Sequence, residues 1–180
     1  KKAHEVDGWL ARPDPAVRLV LVYGPDRGLA SERAQRFAAV SGFALDDPFS
    51  VMRIDAADLD REPGRLVDEA STVPMFAERR LVWVRNAMNQ KSFVQDVEQL
   101  AKAAPEAGVV LIEAGDLKKG SALRGDVESA AAGLALPCYV DEGRALDALI
   151  DEELRAAGLS IDLEARNALK PNRLTKPRTE

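Results

Sequence analysis

Short runs of apolar residues alternate along the chain with stretches of helical period. Arg18-Leu19-Val20-Leu21-Val22-Tyr23 predicts a first strand, stopped by the turn residues Gly24-Pro25-Asp26-Arg27-Gly28. From Leu29 to Val40, residues Ala34, Phe37, Ala38 and Val40 fall on one side of a helix. Val51-Met52-Arg53-Ile54 predicts a second strand. Pro63 to Ala70 suits a short helix with proline in its first turn, where a missing N–H costs nothing. Arg80 to Arg85 predicts a third strand, and Ser92 to Ala104 a helix with Phe93, Val97, Leu100 and Ala101 on one face. A fourth strand follows at Val109-Val110-Leu111-Ile112, a helix at Ser121 to Ala132, and a fifth strand at Leu134 to Val140.

Several of these strands are unbroken Val/Ile/Leu runs, as expected of strands buried on both faces of a parallel sheet. Repeated strand–helix units therefore predict an α/β fold with a parallel sheet covered by helices. From Asp141 the pattern turns helical only. Leu146, Leu149, Ile150 and Leu154 form one stripe, Gly158 stands where a helix C-cap glycine belongs, and another helix can begin near Asp162. These changes predict an α/β domain over 1–140 and an incomplete helical second domain over 141–180.

Composition narrows the function classes. With 46% hydrophobic and 31% charged residues, the 180-residue chain has a globular mix. A net charge of -5 argues against a surface built to wrap DNA. One cysteine and one histidine exclude a disulfide framework and make a His/Cys zinc site implausible. No apolar run approaches the ~18 residues that span a bilayer, and Lys1 to Leu10 lacks the apolar core of a signal peptide. The expectation is a soluble cytoplasmic protein without membrane contact.

The first strand and its glycine turn have the layout of a phosphate-binding loop, G-x-x-x-x-G-K-[ST], in which backbone N–H groups and a lysine hold the phosphates. Here Gly24 and Ser31 take the outer positions, with Gly28 between them. Leu29 stands at the second glycine position and Ala30 at the lysine position. Asp26 adds a carboxylate where phosphate oxygens would lie. Glu113 is the acidic candidate at a strand end, but without the lysine it has nothing to act with. No G-x-S-x-G elbow is present. His4 reads as a surface residue on an N-terminal helix, Cys138 as a buried inert thiol inside the fifth strand, and Trp9 and Trp83 as packing residues. No cofactor and no metal are expected. The sequence reads as a nucleotide-binding fold that has lost its chemistry.

A resemblance is spread over residues 3 to 169. It is carried by Leu21-Val22-Tyr23-Gly24-Pro25-Asp26-Arg27-Gly28-Leu29 and by Ser71-Thr72-Val73-Pro74-Met75-Phe76-Ala77-Glu78-Arg79-Arg80-Leu81-Val82. Leu111-Ile112-Glu113-Ala114-Gly115-Asp116-Leu117-Lys118-Lys119, Leu136-Pro137-Cys138-Tyr139, Leu149 to Leu154 and Ala157 to Ile161 continue it in order. The chain resembles the N-terminal part of the delta subunit of bacterial DNA polymerase III, the clamp-loader subunit that opens the sliding clamp. The absence of a Ser-Arg-Cys tripeptide favours delta over delta prime.

The resemblance implies an AAA+-like five-stranded sheet of order 5-1-4-3-2 with a degenerate nucleotide site, a helical second domain, and a collar domain absent here. It implies no activity of its own. The implied partners are the beta sliding clamp, gripped by Met75 and Phe76 with Val73 and Pro74 beside them, and the gamma/tau and delta prime subunits. Apart from the family, two large apolar side chains on a connecting segment are either tucked beneath it or presented to a partner. Lys170-Pro171 departs from the family by joining stretches that a glycine-rich loop usually separates. Arg166, Lys170, Arg173, Lys176 and Arg178 leave DNA contact within a loader open, with a solvated end as the simpler reading. Two rival readings stand beside this one: a divergent P-loop ATPase or kinase using Gly24, Ser31 and Glu113, and a structural AAA+-like module with no clamp contact.

Overall fold

The computed structural model describes residues 5–74, 79–139 and 154. Contacts within the chain divide it into two compact units, Lys1–Tyr139 and Val140–Glu180. Of the second unit only Leu154, a half-buried helical residue, is described. His4, the pair Met75 and Phe76, the glycine at 158, the helix predicted near Asp162 and the basic stretch from Lys170 lie outside the described residues.

In the first unit the chain runs α1 (Val6–Ala11), β1 (Leu19–Tyr23), α2 (Arg27–Val40), β2 (Val51–Asp55), α3 (Ala56–Arg61), α4 (Arg65–Ser71) and β3 (Arg80–Ala87). It continues with α5 (Lys91–Lys102), β4 (Gly108–Ala114), α6 (Ala122–Ser129) and β5 (Gly133–Pro137). The strands form one sheet of order β2-β3-β4-β1-β5, every neighbouring pair parallel. This is the expected order read from the opposite edge.

The two-sided burial is explicit in β1, all of whose residues are buried. Successive side chains of a strand point to opposite faces. Leu19, Leu21 and Tyr23 therefore join the core beneath α3, α4, α5 and α6, with Leu59, Leu66, Phe93, Val97, Leu123 and Val127. Val20 and Val22 join the core beneath α1 and α2, with Val6, Leu10, Ala34, Phe37 and Leu136. Trp83 is buried in that second core, and Trp9 stacks on Phe37 with ring centroids 5.7 Å apart. Both tryptophans are packing residues.

The structure corrects several local expectations. Pro63 is not in the first turn of α4; the helix starts at Arg65, and Gly64 caps it at φ 87°. The start is set from outside, because the Asp96 carboxylate on α5 receives the N–H groups of Gly64 and Leu66. Helix α3 escapes the sequence pattern, since in six residues only Ala56 and Leu59 are buried. It is held at its start by Asp55, which accepts the Ala57 N–H at 2.9 Å. Glu113 lies inside β4 rather than after it, and β5 ends at Pro137, which leaves Cys138 just beyond the strand. Cys138 is nonetheless buried, its N–H donating to the Tyr23 carbonyl at 2.6 Å. Burial pushes its thiol above the ordinary range, as an inert cysteine requires.

Candidate functional site

The carboxyl ends of parallel strands are where an α/β sheet places ligands, and the turn from β1 into α2 is built there. Asp26 is the N-cap of α2, and its Oδ1 accepts the Leu29 N–H at 2.9 Å. In a phosphate-binding loop that helix-start N–H faces an anion. Here the Asp26 carboxylate takes that N–H from within the chain. Ala30 is 1% exposed and belongs to the core under α2, so the position of the missing lysine is turned to packing.

Gly24 also has a structural duty. A Cβ built on it would lie 2.1 Å from the Cys138 carbonyl oxygen and 2.6 Å from its carbon. Glycine here lets two strand ends approach, rather than letting backbone approach a phosphate. Gly28 is roomier, since its Cβ would meet only Asp26 Oδ1 at 3.3 Å.

The acidic candidate is likewise occupied. Glu113 Oε2 accepts the Trp83 indole N–H at 3.2 Å and lies 4.0 Å from Arg85 Nε. Glu113 lines a cavity of about 240 Å³ with Arg27, Ala30, Asn86 and Gly115. Ser31 lines a different one of about 230 Å³, with Gln35, Arg53, Trp83 and Arg85. Hydroxyl and carboxylate, which a phosphoryl-transfer site needs together, thus open on separate cavities. Beside Glu113, Asn86 takes a left-handed conformation (φ 55°) where β3 slips register against β4. Asparagine tolerates that region better than most residues. Its amide donates to Asp55 Oδ2 at 2.6 Å; that bond and the Ala57 N–H hold the Asp55 carboxyl below its usual range.

At the opposite end of the sheet, α4 leads into the segment that sequence singled out. Val73 is 73% exposed and Pro74 half-buried. The helix before them is seated on backbone: a Cβ at Gly108 would fall 2.3 Å from the Ala70 carbonyl oxygen. It is capped by Asp96, which is 2% exposed and receives Gly64 N at 2.9 and 3.1 Å and Leu66 N at 3.2 Å. No side chain of α4's own N-cap replaces it. Asp96→Ala would strand two N–H groups, one of them buried, and should cost about 2–3 kcal/mol, read as a lower denaturant midpoint with unchanged slope. Sequence reasoning missed Asp96. The available signal was a carboxylate on the apolar stripe Phe93, Val97, Leu100, where a charge needs partners.

On the far side of the segment, Arg79 and Arg80 diverge. Arg79 Nη2 donates to the Ser41 carbonyl at 3.2 Å, with its guanidinium 5.4 Å from the Phe43 ring centroid. Arg80 Nη1 donates to Glu69 Oε2 at 3.0 Å, and Nη2 to Met52 Sδ at 3.0 Å. Both stems of the segment are therefore pinned to the sheet's helices.

Comparison with known proteins follows the same lines. No curated protein matches the chain. Among solved structures, the DNA clamp loader delta protein of Bacillus subtilis is similar in fold (TM-score 0.62, 18% identity). That match covers 93% of this chain and 51% of that one, so this chain spans about half the length of its relative. A DNA polymerase III gamma subunit-related protein of Thermotoga maritima (TM-score 0.49, 16% identity, 93% and 57% covered) and a RuvB variant of the same organism (0.47, 14%, 91% and 51%) are more distant. The family described as DNA polymerase III, delta subunit, matches residues 21–120, which include both the filled loop at Asp26 and the segment from Val73 to Phe76. The chain belongs to the DNA polymerase III delta subunit family, on an AAA+-like fold.

Proposed function

We propose that this chain is the clamp-binding part of a non-catalytic clamp-loader subunit. It grips the beta sliding clamp through Met75 and Phe76, flanked by Val73 and Pro74, and helps hold one ring interface open for loading onto primed DNA. ATP acts from the neighbouring gamma/tau subunits by controlling access to this surface, with delta prime completing the assembly in the cytoplasm. The 141–180 stretch belongs to a helical second domain. The observation that carries this reading is the family match, because Val73 to Phe76 fall inside the matched residues 21–120. The exposed Val73 and the pinned stems on either side support a presented segment.

The filled loop supports the absence of nucleotide chemistry. With Asp26 occupying the Leu29 N–H and Ala30 in the core, calorimetry with magnesium-ATP should give no dissociation constant tighter than about millimolar. A micromolar value would restore the ATPase reading. The clamp reading is tested by capture of the cognate clamp on the immobilised chain without nucleotide. Retention is expected, and ATP should not change it. No retention would leave only a structural module.

A further inference from the structure

We propose that Arg53 and Arg85 form a phosphate-binding site on the β2–β3 side of the sheet, separate from the loop at Asp26 and independent of the clamp reading. In the ladder Arg53 stands opposite Trp83, and Arg85 opposite Asp55. Alternate residues of a strand share a face, so Arg53, Trp83 and Arg85 all point to the side of the sheet that carries α2. Helix α2 packs on β1 and β4, whereas α3 and α4 lie on the opposite face. The α2 side of β2 and β3 is therefore partly open, and a cavity of about 230 Å³ lies there. Ser31 and Gln35 line it from α2, Asp46 from the loop before β2, and Arg53, Trp83 and Arg85 from the sheet.

The groups facing the cavity suit an oxyanion. The Arg85 side chain is 54% exposed, and Glu113 lies 4.0 Å from its Nε, beyond hydrogen-bond reach. Glu113 instead accepts the Trp83 indole N–H and lines a different cavity. Asp55 is taken by the Asn86 amide and the Ala57 N–H. Arg53 donates one terminal nitrogen to the Leu45 carbonyl and holds its guanidinium 5.3 Å from the Trp83 ring centroid, with no ion pair among the described residues. That stacking fixes the guanidinium in place. Ser31 and Gln35, one turn apart on α2, have no side-chain hydrogen bond among the described residues. The lining thus sets two guanidinium forks and two neutral donors against one exposed carboxylate, Asp46. A planar carboxylate has two oxygens to offer such a set. A tetrahedral phosphate group can accept from donors on strand and helix together, and the arginine fork matches its oxygens.

The phosphate can be free or part of a nucleic-acid backbone, and one experiment separates the two. The isotope-labelled full chain is titrated with inorganic phosphate and, at matched ionic strength, with chloride. The indole N–H resonance of Trp83 reports on the site, and that of Trp9 serves as internal control. Phosphate should move the Trp83 resonance saturably, with half-saturation at about a millimolar for a solvent-open pair of arginines. Chloride should leave it in place, and Trp9 should not respond. Arg85→Gln and Arg53→Gln should each weaken the response at least ~10-fold, at a nearly unchanged melting temperature. Should Arg53→Gln disturb the loop at Leu45, the exposed Arg85 still gives a clean reading. A short oligothymidylate is the second probe. Tighter binding than phosphate, lost in both variants, assigns the site to a nucleic-acid backbone; binding no tighter than phosphate assigns it to free phosphate. Equal shifts with chloride and phosphate, or a phosphate response that survives both substitutions, would overturn the site.

Discussion

Gly24→Ala should lower the stability of the chain by about 3 kcal/mol and its melting temperature by roughly 6–12 °C. The methyl group would sit 2.1 Å from the Cys138 carbonyl oxygen, 2.6 Å from its carbon and 3.0 Å from its Cα. All three are backbone atoms, so no side-chain rotation relieves the clash. The end of β5 must move, and it is tied in place. The Cys138 N–H bonds to Tyr23, and the Pro137 carbonyl accepts from the buried Arg33, whose other terminal nitrogen pairs with Asp7. Gly115→Ala is the matched control: it lies at the same end of the sheet with nothing within 4 Å of its would-be Cβ, and should be near neutral. Thermal melts of the two variants decide the matter. If Gly24 served a phosphate, its alanine variant would keep the fold and lose only nucleotide affinity; an unchanged melting temperature would refute the packing account.

Much of the fold was legible because the strands are buried on both faces. The runs at Leu19–Tyr23 and Gly108–Ala114 have almost no polar position to confuse their reading. The expectation that the loop holds no nucleotide also came from the sequence, since an alanine cannot replace the phosphate lysine. The reasons for the remaining residues were not. Asp26 reads in sequence as a charge that repels phosphate, whereas in the fold it caps α2. An Asp three residues before Leu29 is itself a helix-start signal. Gly24 reads as a loop glycine, but its need comes from Cys138, 114 positions along the chain, which no local pattern can report. The same holds for the Glu69–Arg80 ion pair, whose meeting depends on α4 and the start of β3 both lying against Gly108 of β4. Helix α3 was invisible because two buried residues do not establish a period. The start of α4 was misplaced at Pro63 because its cap is a side chain from another helix.

The central claim is that Met75 and Phe76 grip a sliding clamp. A buried aromatic anchor at an interface commonly contributes ~2 kcal/mol or more. Phe76→Ala should therefore weaken clamp binding at least ~30-fold. A side chain presented to a partner leaves no core cavity when truncated, so the fold should stay nearly intact. Its neighbour Val73, at 73% exposed, already stands clear of both cores. If Phe76 were instead tucked into a core, its loss would cost about 3–5 kcal/mol of stability and leave affinity per folded molecule unchanged. The decisive measurement is calorimetric titration of the cognate clamp with the unaltered chain and with Phe76→Ala, each paired with its melting temperature. The account predicts a dissociation constant at least ~30-fold weaker at a nearly constant melting temperature. A sharply lowered melting temperature with unchanged affinity would contradict it.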